Sequence, residues 1–153
     1  MPDPLVETWI IHDRINRYLL DAVPPEALEK VSASKGRSVG EQFAHVHNVR
    51  LMWLKAAGDL PADLSKIEKE HANDASLLAG SLQASGQAVA ALIEKSLAAG
   101  GRVKGFKPHV HAFVGYLVSH ESHHRGQIAL TLKQAGHPLD KKVAYGIWEW
   151  GTR

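Results

Sequence analysis

Apolar positions recur at helical spacing in four stretches of the chain, and no stretch alternates with the period of two that a half-buried strand needs. Asp3-Pro4 opens the first stretch with an acidic cap and a proline in the first turn. Leu5, Trp9, His12, Asn16 and Leu19 then share one side of a helix that must end before Pro24-Pro25. Ser38-Val39-Gly40-Glu41 reads as a capping box and starts a second helix through Ala57, closed by Gly58 and Pro61. Its apolar side is Val39, Phe43, Val46, Trp53 and Ala57. Asp74 caps a third helix carrying Leu78, Leu82, Val89, Leu92 and Ser96, which stops at Gly100-Gly101. Gly80 and Gly86 weaken its propensity but allow a neighbour to approach closely. Pro108 stands in the first turn of a fourth helix running to Gln134 or Ala135, before Gly136 and Pro138.

The connections differ in character. Residues 24–37 are rich in Pro, Ser, Lys and Gly, with a helical turn or two at most over Glu26–Val31. The segment 58–73 is long for a bundle loop and suits a crossover spanning the length of the domain. Arg102–Lys107 reads as a solvated basic turn. Tyr145, Trp148 and Trp150 crowd the tail, residues 139–153, which should pack down on one end of the bundle or on a partner subunit. No internal repeat is apparent. The expected fold is all-α: a single-domain four-helix bundle over 1–153, with a long crossover between helices two and three.

Composition narrows the function classes. A chain of 153 residues, 44% hydrophobic and 22% charged, is ordinary for one globular domain with a proper core. A net charge of +2, with its cations scattered, does not argue for nucleic acid as a partner. The absence of cysteine excludes disulfides, thiolate metal sites and a cysteine nucleophile, and nothing points to secretion. The N-terminus lacks a basic-then-apolar leader, and no apolar run approaches membrane-spanning length. The expectation is a cytoplasmic protein without a membrane partner. Ten dispersed histidines are the unusual feature, which a metal site would explain in part.

The histidines concentrate the chemistry. In His120-Glu121-Ser122-His123-His124-Arg125-Gly126, His120 and His124 lie one turn apart on the same helix face. With Phe113 as reference, Leu117, His120, His124, Ile128 and Thr131 fall within roughly 60° of one line at about 100° per residue. Two imidazoles in an apolar stripe need a partner, and a metal ion can serve both. A catalytic site then needs at least a third protein ligand. His45 and His47 are roughly 200° apart on the second helix, so they cannot both supply it. The wheel places His47 closer to the stripe than His45 by a small margin. His12 reads as a hydrogen-bonded core residue, and His109 and His111 lie roughly 20 Å along the helix from His124, too far to join that site. Glu121 and Arg125 are the catalytic candidates. Glu121 points about 100° away from its neighbouring ligand and reads as a solvated ion pair in preference to a general base. Arg125 and Gln127 could orient ligands or bind substrate, and His123 reads as a surface residue in preference to a fourth ligand.

Two familiar chemistries fit poorly. His120-Glu121-x-x-His124 matches the zinc-protease signature, but its extended form needs glycine and histidine where Gln127 and Leu130 stand, and strand patterns are missing. A di-iron carboxylate site needs two Glu-x-x-His units, and Glu121-x-x-His124 is the only one. Ser-Val-Gly-Glu-x-x-Ala-His over Ser38–His45, and His-x-x-x-His followed by Arg-Gly-Gln over His120–Gln127, resemble the DinB-like (YfiT-type) family of metal-binding four-helix bundles. The resemblance extends over nearly the whole chain. It implies a divalent metal (zinc, nickel or iron) held by one histidine of helix two and two of helix four, here His45, His120 and His124. Wheel and resemblance thus choose differently, and His47 stays the alternative. Gln42 and His47 stand where the family usually carries apolar or small residues. The resemblance further implies a homodimer acting on a small-molecule substrate, as a low-molecular-weight thiol S-transferase or a metal-dependent hydrolase. A cysteine-free chain would have to take that thiol from a cofactor. The alternative is a non-catalytic, metal-holding oligomeric scaffold.

Overall fold

The computed structural model describes residues 1–153 and contains helices and turns but no strand. Helix α1 spans Pro4–Asp21, and the Asp3 carboxylate accepts from the Leu5 amide at its start. Helix α2 spans Val39–Ala57 behind a complete capping box: Ser38 Oγ accepts from the Glu41 amide while the Glu41 carboxylate accepts from the Ser38 amide. Gly58 ends it in the left-handed conformation, φ 79°. Helix α3 spans Ala75–Ala98 behind an Asp74 cap, and α4 spans Val110–Gln134. The cap of α4 is His109, whose Nδ1 accepts from the Ala112 amide, so Pro108 lies just outside the helix and not in its first turn. A short α5, Lys141–Gly146, closes the set.

The core falls into two apolar clusters that reveal helix direction. One joins Leu19 and Leu20 near the end of α1 to Val39 and Phe43 at the start of α2, Leu78 and Leu82 early in α3, and Ile128 and Leu132 late in α4. The other joins Val6 and Trp9 to Leu51 and Leu54, Val89 and Ile93, and Phe113 and Leu117. Helices α1 and α4 therefore run one way, and α2 and α3 the other. Residues 58–74 must return along the bundle to connect the parallel pair. They lie against α2, where Asn48 pairs through its side chain with both the amide and the carbonyl of Ile67. Gly40 of α2 meets the Ala72 carbonyl so closely that any Cβ would collide with it.

Between the two apolar clusters runs a buried polar layer to which all four long helices contribute. Arg50, with no exposed surface, donates to Glu121 of α4, Asp13 of α1, and the Leu82 carbonyl and Ser85 hydroxyl of α3. Gly86 makes room for Asp13, whose carboxyl a Cβ there would strike, and its carbonyl accepts from Trp9 Nε1.

An internal repeat is present in the backbone although none is apparent in the sequence. An isolated bridge joins Val31 to Ser38, and another joins Arg102 to His109. Each loop makes the same pair of bonds, Lys35 amide to Ser32 carbonyl with Val39 amide to Lys30 carbonyl, and Phe106 amide to Val103 carbonyl with Val110 amide to Gly101 carbonyl. Each leads into a capped helix, and Arg50 and Glu121 stand equally far past their caps. Val39 and Val110 match, but equivalent positions such as Lys35 and Phe106, or Arg50 and Glu121, hold unlike residues, so hydrophobic patterning alone does not reveal the repeat.

Two further expectations need correction. Helix α3 is long and apolar enough to cross a membrane by length and composition, with mean hydropathy 1.3, because its many alanines sum with its leucines. In the bundle it packs against α1 and α2. The tail does pack on the bundle, but through Leu139, Val143 and Ile147, and through Arg153 stacked over the Tyr18 ring at 3.9 Å. Tyr145 and Trp148 remain 72% and 73% exposed. Leu139, Val143 and Ile147, and not Tyr145 or Trp148, hold the segment down.

Candidate metal centre

The capping box sets the register of α2, and two turns on it presents His45 to α4. There the His45 ring meets those of His120 and His124, with centroids 5.3 and 4.6 Å away, and His120 and His124 are 4.6 Å apart. One nitrogen from each can be chosen so that all three lie within 4.8 Å of one another. The three histidines are thereby positioned to hold a metal ion. They sit at the edge of the bundle between α2 and α4, with His124 buried and His45 and His120 half-buried.

The protonation of the cluster suits that role. Burial, aided by the charges of Arg37 and of His120, lowers His45 to about 4. Burial and the neighbouring imidazoles lower His124 to about 4 as well, and burial lowers His120. All three are neutral near pH 7, with lone pairs available. Gln42 Oε1 lies 2.5 Å from His124 Nδ1. An amide oxygen only accepts, so Nδ1 carries the proton and Nε2 is left free. The buried Nδ1 of His120 has no hydrogen-bond partner. Three convergent neutral donors, one of them with an orphaned nitrogen, fit a metal ion.

His47, which the wheel prefers, faces elsewhere: its Nε2 lies 2.9 Å from the Ser65 carbonyl, under the 58–74 connection. That connection buries a second side of α2, so the middle of its hydrophobic arc does not point at α4. His12 is fully buried, with Nε2 at 3.1 Å from Glu121 Oε1 and Nδ1 at 3.3 Å from Arg125 Nη1. Burial lowers its pKa against the opposing pull of Glu121. A neutral ring donating from Nε2 and accepting at Nδ1 satisfies both contacts. His123 is exposed, its ring 5.0 Å from that of His124, and outside the cluster. His109 and His111 remain at the start of α4.

Glu121 is not solvated. It is 1% exposed, accepting from Arg50 Nε at 2.9 Å and Nη2 at 2.6 Å and from Asn16 at 2.8 Å. Burial alone would raise its pKa, but the Arg50 charge and hydrogen bonds outweigh that and hold it at about 2. Arg125 donates to Asn16 at 2.6 Å and Ser122 at 3.0 Å. The true buried face of α4 passes through Leu117, Glu121, Arg125 and Ile128, because the bundle buries ions there that an apolar template discounts. His120 consequently stands at the rim of that face.

Sequence reasoning missed Arg50, Asp13 and the role of Gln42. The available signal was a charge of each sign in mid-helix, on faces whose other members are apolar. One cavity, of about 320 Å³ and lined by Arg37, His45, Asn48 and Lys66, borders the triad at His45, and a second, of about 270 Å³ and lined by Lys35, Arg37, Gln42 and Gln127, reaches it only through Gln42, which touches His124.

The model of the DinB family matches residues 1–144 of the chain. No curated protein and no solved structure matches the chain.

Proposed function

The chain belongs to the DinB family, and from that premise we propose that it is a divalent-metal-dependent enzyme transferring a low-molecular-weight thiol to a small electrophile. The observation that carries this reading is the cluster His45, His120 and His124: three neutral imidazoles and no acidic ligand, beside open cavities. When bound, a divalent cation that keeps its full charge favours the anionic form of a thiol or water donating to it. Three protein donors leave room for such a guest, whereas a structural site is closed by four.

The chain's own residues have distinct tasks in this account. The three imidazoles supply the lone pairs, and Gln42 fixes the tautomer of His124. The Arg50–Glu121 ion pair ties α2 to α4, the two helices that carry the donors. Thiol transfer is preferred to hydrolysis because Glu121 is engaged by Arg50, His12 and Asn16 and so is poorly placed as a general base for water. Arg125 is assigned a positioning role through Asn16 and His12 and not contact with substrate. A reduced thiol cosubstrate suits the cytoplasm.

The test is to load the protein with zinc, nickel or ferrous iron and follow consumption of a thiol with a chloronitrobenzene electrophile. Metal-dependent loss of thiol that disappears in His124→Ala supports transfer. Ester cleavage without thiol would favour hydrolysis, and inactivity of the loaded protein with every thiol and ester tried would favour a scaffold.

A further inference from the structure

We propose that the cavity between residues 31–38 and α4 is an anion subsite that takes a carboxylate of the thiol cosubstrate whose sulfur faces the three histidines. The inference rests on the thiol reading above and adds the chemical class of the molecule.

The cavity, about 270 Å³, is lined by Lys35 and Arg37, by the hydroxyls of Ser32, Ser34 and Thr131, and by no acidic residue. Neither Lys35 nor Arg37 takes part in an ion pair. Gln42 lines the same cavity and touches His124, so the space adjoins the metal donors through one side chain. Arg37 also lines the neighbouring cavity that His45 borders, so one cation stands between the two spaces. The cavity on the other side of Arg37 is electrostatically mixed, since Glu41 and Glu68 oppose Lys66 and Lys69 there. Of the two, only the first offers an anion an unopposed pair of cations.

The internal repeat gives a second, independent reason. In loop 102–109 the position equivalent to Lys35 is Phe106, which packs against Trp53, Phe113 and Tyr116 with ring centroids 5.5, 5.3 and 5.8 Å away. One copy of the loop thus uses this position to anchor itself. The other holds itself with Ser32 Oγ on the Lys35 carbonyl and the Ala33 amide on Gln134, and its Lys35, at φ 67°, carries an ammonium that no ion pair engages. The cation is not needed to build the loop. A fixed loop carrying two unpaired cations beside a metal centre is preorganised for a charge-assisted contact with a carboxylate.

The cobalt-loaded protein tests this through the sulfur-to-cobalt charge-transfer band, titrated at low salt with mercaptosuccinate and with the neutral 1-thioglycerol. Mercaptosuccinate should bind at least about tenfold more tightly, the order expected for hydrogen bonds to a charged group, and added salt should shrink that preference. Lys35→Asn with Arg37→Gln should abolish the preference and leave the thioglycerol affinity unchanged. Arg37→Lys should retain much of it. Equal affinities of the two thiols, or a preference that survives in the double variant, would overturn the subsite alone. A cobalt-loaded protein that shows no band with either thiol would overturn the thiol reading and the subsite with it.

Discussion

At His124 the choice between two imidazole tautomers falls to one neighbour, Gln42, whose amide oxygen accepts from Nδ1 and leaves Nε2 for a metal. Groups that orient a ligand in this way are commonly worth about 10–100-fold in metal affinity. Gln42→Leu, close in volume but without an acceptor, is expected to weaken zinc binding by about that factor while the fold remains intact. Competition with a chromogenic chelator measures it, and unchanged affinity would show that His124 is oriented by packing alone. The pair His120 and His124 was legible in the sequence from spacing alone. Spacing alone did not choose His45 over His47, because both flank one arc of α2, and only the Ser38–His45 motif pointed to His45. The 58–74 connection, invisible to a helical wheel, claims the side that His47 occupies. Glu121 was misread for a related reason: its burial depends on Arg50, far along the chain, and a charge is credited with burial only once its partner is known.

Helix against helix, the polar layer decides how the bundle seats. Arg50 neutralises Glu121 and Asp13 at once, with contacts of 2.6 and 2.9 Å. Arg50→Met leaves the buried Glu121 without its cation and Asp13 with Arg17 alone, and should cost about 3–5 kcal/mol, read by urea denaturation. Adding Glu121→Leu should recover part of that loss; a purely additive double variant would mean the two residues do not act as a pair. The acid limb follows from the same contact. Glu121 ionises at about 2 in the folded chain against an ordinary 4.5, so between those values the unfolded chain binds more protons and stability rises with pH. The contribution is fully present above about 4.5 and is lost as pH falls through about 2. In Glu121→Gln the slope of stability against pH over this window should flatten. Helix starts were the most legible elements, because Asp3, Ser38 and Asp74 carry their capping chemistry locally. Ser38→Ala is expected to cost about 1 kcal/mol through loss of the cap.

For the molecule as a whole, long-range direction was legible only in outline. The length of the 58–73 segment suggested a crossover, and the two core clusters explain it by making α2 and α3 parallel. The repeated loop could not be read from residues, since Lys35 and Phe106, or Arg50 and Glu121, share a place but no chemistry. The exposed Tyr145 and Trp148 are the residues on which a second copy of the chain is expected to pack. Sedimentation velocity should then report a dimer that Trp148→Asp converts to monomer, and a wild-type monomer at high concentration would remove that expectation. The central claim is that α2 and α4 together hold one divalent cation through His45, His120 and His124. The most direct measurement is metal content by mass spectrometry after zinc loading and desalting, on wild type, His45→Ala and His47→Ala. The account predicts one zinc per chain in wild type and in His47→Ala and none in His45→Ala; zinc retained by His45→Ala and lost from His47→Ala would contradict it.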